Sequence, residues 1–309
     1  MILKEGFKAG IITPILLIVV FGLIIAANYI PENVIGIDEN PYITVVMITL
    51  LTYALPVVFY WCVRGSEFTP RMRISLFRPQ HVLYLFHASV FMLSGVVLVS
   101  MLMYNVNPEA FAASAVTEYA AFAMNERFFD TVYIVVAFAV LPAATEEILF
   151  RGIVVGEYDR YGAPIACIMS AVMFAMSHFS IVRFPVYLFS GLVLAAVLFT
   201  TRSVVASIVV HALNNTVVLL CEKYVLHIVD KQNASFVLLI ILTGGAAVIS
   251  AMLMCHEAQG IYHGYAENNV PSEYAQEAKY SLFARIAQAF FTPTFLILVI
   301  MFIAVTLSA

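Results

Sequence analysis

The chain has 309 residues, 63% of them hydrophobic and 11% charged, with a mean hydropathy of +0.97 and a net charge of -4. A soluble domain carries about 25% charged residues, so this composition excludes one and reads as a polytopic membrane protein. The charge leaves no basic footprint for nucleic acid. Cys62, Cys167, Cys221 and Cys255 show no CxxC spacing, which argues against a disulfide framework or a thiolate metal site.

Runs approaching the roughly 17–25 apolar residues of a crossing helix occur at Ile11–Tyr29, Ile43–Val63, Val82–Met103, Thr131–Phe150 and beyond, Pro164–Phe179, Phe184–Thr200, Val204–Cys221, Ala234–Met254 and Ala289–Leu307. Two are short or polar enough to be re-entrant. The expectation is an all-α fold, a polytopic transmembrane helical bundle of eight to nine helices, in a single membrane domain spanning 1–309. The first run follows Lys4 and Lys8 but exceeds the apolar length of a signal peptide, and reads as a retained helix. Between the runs, Arg64–His81 is a basic, proline-flanked loop, Pro31–Pro41 is acidic, and Asn105–Asp130 is alanine-rich with a helical character. His256–Gln288 is the most polar tract, with Gly260, Gly264 and Pro271 marking a loop before an amphipathic helix at Ser272–Ala287. Placing the N-terminus in the cytoplasm puts ten basic residues on cytoplasmic connections and four, Arg127, Arg183, Lys223 and Lys231, outside. The positive-inside rule favours that orientation.

The exception to this apolar pattern is Thr145-Glu146-Glu147-Ile148-Leu149-Phe150-Arg151, flanked on both sides by membrane-like sequence. A charge at bilayer depth costs at least about 2.5–3.5 kcal/mol and marks a paired, functional site. Glu147 and Arg151 stand i,i+4 with the acid first, the better orientation for an ion pair. Glu146 points about 100° away, which leaves one carboxylate for chemistry. Tyr161-Gly162-Ala163-Pro164 then reads as a helix stop followed by a helix start. Glu146 lies 16 residues before Gly162 and His178 lies 16 after it. In an antiparallel hairpin both sit about 24 Å from the turn and face each other. Pro142, one turn before Glu146, predicts a kink, and Ala143, Ala144, Gly152 and Gly156 allow a close helix neighbour. His178 follows Phe174 by one turn, and His211 and Asn215 share a stripe of the Val204–Cys221 run. Such polar groups need partners from facing helices. Glu146 with His178 can hold a water and take its proton, while His211 and Asn215 can donate to the oxyanion formed at a peptide carbonyl. His81, His87, His227, His256 and His263 lack such company.

Glu146-Glu147-x-x-x-Arg151, Phe174-x-x-x-His178 and His211-x-x-x-Asn215, in this order on separate helices, resemble the three motifs of the type II CAAX prenyl protease and bacteriocin-processing (CPBP) family of intramembrane glutamic endopeptidases. The resemblance covers about 131–221, which it marks as the catalytic core, between N-terminal helices at 11–103 and a C-terminal loop and helices at 234–307. It implies a metal-independent hydrolase without a cofactor. Its catalytic residues would be Glu146, His178, His211 and Asn215, supported by Glu147, Arg151 and Phe174. The expected partner, besides the bilayer, is a membrane-associated peptide or protein substrate; a prenylated peptide, a leader peptide and a membrane-anchored signalling protein each fit.

Three other readings compete. A carboxylate and two imidazoles are also a zinc set, although no HExxH is present and Arg151 places a cation nearby. A proton-coupled transporter uses similar residues, but the repeats common in such proteins are not visible. A non-enzymatic scaffold or immunity protein is the third.

Overall fold

The computed structural model of the chain describes residues 2–27, 46–64, 72–113, 128–270 and 281–308. Among these no strand occurs. The helices are α1 (Ile2–Ala27), α2 with a π-turn at Leu50–Ala54 leading into Leu55–Arg64, α3 (Val82–Val106), α4 (Pro108–Ala113), α5 (Thr131–Tyr161), α6 (Ala163–Met176), α7 (Phe184–Thr201), α8 (Val204–Lys231), α9 (Ala234–Glu267), α10 (Leu282–Phe290) and α11 (Pro293–Ser308). The acidic connection Pro31–Pro41 lies outside the described residues, as do residues 65–71 of the basic loop, 114–127 of the alanine-rich segment and 271–280 at the start of the expected amphipathic helix.

Multiple helices are apolar enough for an integral membrane protein, but fewer are long enough than the eight to nine crossings expected. Among the described residues five qualify, Pro79–Val106, Thr131–Tyr161, Phe184–Thr201, Val204–Lys231 and Ala234–Glu267, or six if α10 and α11, bent by 53°, form one span. Ile12–Ala26, Val46–Cys62 and Ala163–Met176 are shorter. The 14 residues of α6 reach about 21 Å at 1.5 Å each, short of a hydrocarbon core of about 30 Å.

Two apolar cores flank the centre. One joins α1, the second half of α5, α6 and α11 through residues such as Phe21, Phe150, Met173 and Leu298. The other joins α3, α4, α7 and α8 through Met92, Phe111, Leu194 and Val210. The outward side of α9 exposes Leu238, Ile241, Leu242, Val248 and Met252, as expected where lipid is the solvent.

The polar tract after Met254 differs from its reading as a loop. α9 runs on to Glu267, with Gly260 and Gly264 inside it. Ile261 and Tyr265, one turn apart, dock on the second core, and the Tyr265 hydroxyl donates to the Thr200 carbonyl at 3.1 Å. Tertiary burial outweighs the roughly 1 kcal/mol that each mid-helix glycine costs. The following helix starts at Leu282, capped by Ser281.

The hairpin between α5 and α6 forms as read. A 3₁₀ turn, Asp159–Tyr161, leads into Gly162 at φ +99°, and Pro164 occupies the first turn of α6. Such a φ suits glycine. Around Pro142 the helix widens into a π-turn at Val136–Val140, returns to α over Leu141–Glu147, and widens again over Ile148–Val154. Proline lacks the N–H of a regular ladder, and π-turns collect at functional sites.

Candidate active site

The two carboxylates of α5 diverge as helix geometry requires. Glu147 is fully buried, and its Oε1 accepts from Arg151 Nη1 at 2.8 Å and lies 2.9 Å from His211 Nδ1. Its Oε2 is buried without a hydrogen bond. Arg151 is equally buried. It donates through Nη2 to the Gly191 carbonyl of α7 at 3.0 Å and lies 4.8 Å from the centre of the Phe174 ring. Gly191 permits this crossing, because a Cβ there would stand 2.8 Å from Ala171 Cα. Glu146 makes no hydrogen bond to another described residue and turns into a cavity, where His211 Nε2 approaches its Oε2 to 3.9 Å.

That cavity, of about 210 Å³, is lined by Glu146, Phe174, His178, Tyr187, His211 and Asn215. The three motifs therefore meet at one place. Glu147 and Arg151 stand behind the wall. Phe174 is the hub, with its ring edge-on to Phe150 at 5.4 Å, His178 at 4.8 Å and His211 at 5.5 Å.

His178 is placed differently from its expected position on a helix. α6 ends at Met176, and His178 sits in the turn beyond it. The backbone N–H of His178 reaches back only to Ala175, which leaves the Phe174 carbonyl to side chains. Ser177 Oγ donates to it at 2.7 Å, and His178 Nδ1 lies 2.9 Å from it. A carbonyl only accepts, so Nδ1 carries the proton and the neutral ring keeps Nε2 as an acceptor. The ring stacks on Tyr187 with centroids 3.7 Å apart and planes inclined by 19°. His178 shares the cavity with Glu146 but makes no direct hydrogen bond to it.

Sequence reading missed several lining residues. Tyr187 lies on α7, outside the motifs. Asn214 is buried, with its Oδ1 lacking a hydrogen bond. Arg183, read as an external loop charge, is 5% exposed, pairs with Glu222 at 2.7 Å and donates to the Phe111 carbonyl at 3.1 Å. A signal existed for Glu222: His211, Asn215, Val218 and Glu222 follow each other at i, i+4, i+7 and i+11, one helix stripe, and all four line the cavity.

Among the described residues no three His, Cys, Asp or Glu side chains are grouped to hold a metal ion. The four cysteines are free. The arrangement offers a carboxylate without a hydrogen-bond partner, an imidazole acceptor and amide donors around a space that admits small groups. No curated protein and no solved structure matches the chain. Residues 128–217 match the family model described as Type II CAAX prenyl endopeptidase Rce1-like. Through this segment, which contains Glu146, Phe174, His178, His211 and Asn215, the chain is similar to the Rce1-like type II CAAX prenyl endopeptidase family, a likeness that points to a protease.

Proposed function

We propose that the protein is an intramembrane glutamic endopeptidase acting on a membrane-associated or lipidated peptide. The observation that carries this reading is the convergence of Glu146, His178, His211 and Asn215 on one cavity. A water held between Glu146 and the free Nε2 of His178 loses a proton to them as its oxygen attacks the scissile carbonyl carbon. Asn215 and His211 donate hydrogen bonds to the resulting oxyanion. Collapse breaks the C–N bond, and the proton passes to the leaving amine. The protein supplies these groups itself, so the reaction is assigned no metal or other cofactor.

The family name points to prenylated C-terminal peptides as the substrate class. A neighbouring apolar cavity of about 340 Å³, between α3, α8 and α9, fits a hydrocarbon-bearing substrate. It shares Val96, Ser100, Val218 and Glu222 with the walls of the catalytic cavity. The basic-residue balance supports a cytoplasmic N-terminus. The test compares membrane peptides and proteins in cells carrying the wild-type protein and cells carrying Glu146→Gln. A product that disappears with the substitution supports the reading, and identical profiles at equal protein levels overturn it.

A further inference from the structure

We infer that Glu147 is a positioning residue for His211, fixing which ring nitrogen carries the proton and presenting Nε2, never Nδ1, to the reaction. The consequence for catalysis rests on the peptidase reading above, but the placement of the proton does not.

Glu147 Oε1 lies between two donors, Arg151 Nη1 at 2.8 Å and His211 Nδ1 at 2.9 Å. A guanidinium has donors only, so Oε1 acts as an acceptor towards Arg151. An oxygen that accepts there has no hydrogen to give, and the hydrogen in the contact with His211 belongs to Nδ1. The opposite nitrogen, Nε2, then points at Glu146 Oε2, 3.9 Å away. That separation is too long for a direct hydrogen bond but short enough for one water to touch both atoms. Arg151 is itself anchored to the Gly191 carbonyl, so the relay from α7 through Arg151 and Glu147 to α8 has little freedom.

The other charged or titratable groups around the cavity do not compete for this role. His178 commits its Nδ1 to the Phe174 carbonyl, Tyr187 stacks on His178, and Arg183 and Glu222 pair with each other. Glu146, Glu147 and Arg151 together carry one net negative charge when both carboxylates are ionised. A second proton on His211 at Nε2 neutralises the group. Only that doubly protonated ring donates to an oxyanion from Nε2. The water's proton travels to the leaving amine through Glu146 and His178, and Glu147 holds the other His211 proton on Nδ1 throughout. Nε2 is thus kept as the oxyanion donor, and Glu147 prevents the ring from switching tautomer while the oxyanion forms and collapses.

The test is nitrogen NMR of the full-length, ¹⁵N-histidine-labelled protein in bilayers or micelles, with the His211 signals assigned by their loss in His211→Gln. The expected wild-type spectrum has Nδ1 protonated. In the paired variant Glu147→Leu/Arg151→Met, which removes the acceptor without stranding the guanidinium, the Nδ1-protonated signal should give way to an Nε2-protonated neutral ring, while His178 stays unchanged. A wild-type His211 with bare Nδ1 overturns the inference, as does an unchanged His211 tautomer in the folded paired variant. If that variant does not fold, the wild-type spectrum decides. No substrate enters this measurement, so failure of the peptidase reading, seen as unchanged membrane profiles with Glu146→Gln, is recorded separately.

Discussion

Glu147, buried with one oxygen doubly bonded by donors and the other without any, makes a different demand on the fold from Glu146, which faces a cavity. Removing either member of the Glu147–Arg151 pair strands its partner in a low dielectric, at a cost of about 3–5 kcal/mol. Glu147→Gln or Arg151→Met alone should therefore lower the melting temperature, and the double change should recover part of the loss. Activity should not fully return with stability, because in the double variant a neutral amide replaces the carboxylate that fixes the His211 ring. Glu146→Gln should leave a folded, inactive protein, since a neutral amide is less costly to bury than a carboxylate. Thermal unfolding and cleavage measured on these four variants check both expectations. If Glu146 and His178 act on one water, Glu146→Gln and His178→Ala should each abolish most cleavage, with the double variant little worse than either. Single-turnover rates that multiply would show that the two do not share it.

Between elements, the site depends on how closely α6 and α7 approach. Gly191 faces the Ala171 backbone and offers its carbonyl to Arg151, so close packing and polar anchoring coincide at one residue. Gly191→Ala puts a methyl 2.8 Å from Ala171 Cα and 2.9 Å from its Cβ. Overpacking of this kind costs about 1–3 kcal/mol, and the displaced carbonyl should loosen Arg151 as well. The expected outcome is a lower melting temperature together with reduced cleavage. A control substitution, Gly244→Ala in α9, where a Cβ meets nothing within 4 Å, should hold or raise the melting temperature, since alanine suits a helix interior better than glycine, and leave cleavage unchanged. The turn after α6 has a similar economy: ending the helix at Met176 frees the Phe174 carbonyl to orient His178.

For the molecule as a whole, the reading without a cofactor predicts that cleavage in detergent survives strong chelators. Loss on chelation with recovery on added Zn²⁺ would favour the zinc alternative instead. Orientation is tested by a tag at the N-terminus, expected to react only with reagents that reach the cytoplasmic face. Much of the architecture was legible in the residues themselves. Apolar runs declare membrane helices because the bilayer leaves backbone groups few other ways to be satisfied. The Glu147–Arg151 pair and the Gly162 turn follow from local periodicity and backbone conformation alone. Helix lengths were less legible: α9 continues through two glycines because Ile261 and Tyr265 find a core to dock on, and α6 stops short of a full crossing. Spacing brought the motif residues to a common depth, but the sharing of Glu147 between Arg151 and His211, the stacking of Tyr187 on His178 and the burial of Arg183 against Glu222 were settled only in three dimensions. Helical periodicity specifies which residues share a face of one helix. Which groups that face meets depends on the rotation and closeness of its neighbours, a property of packed helices together.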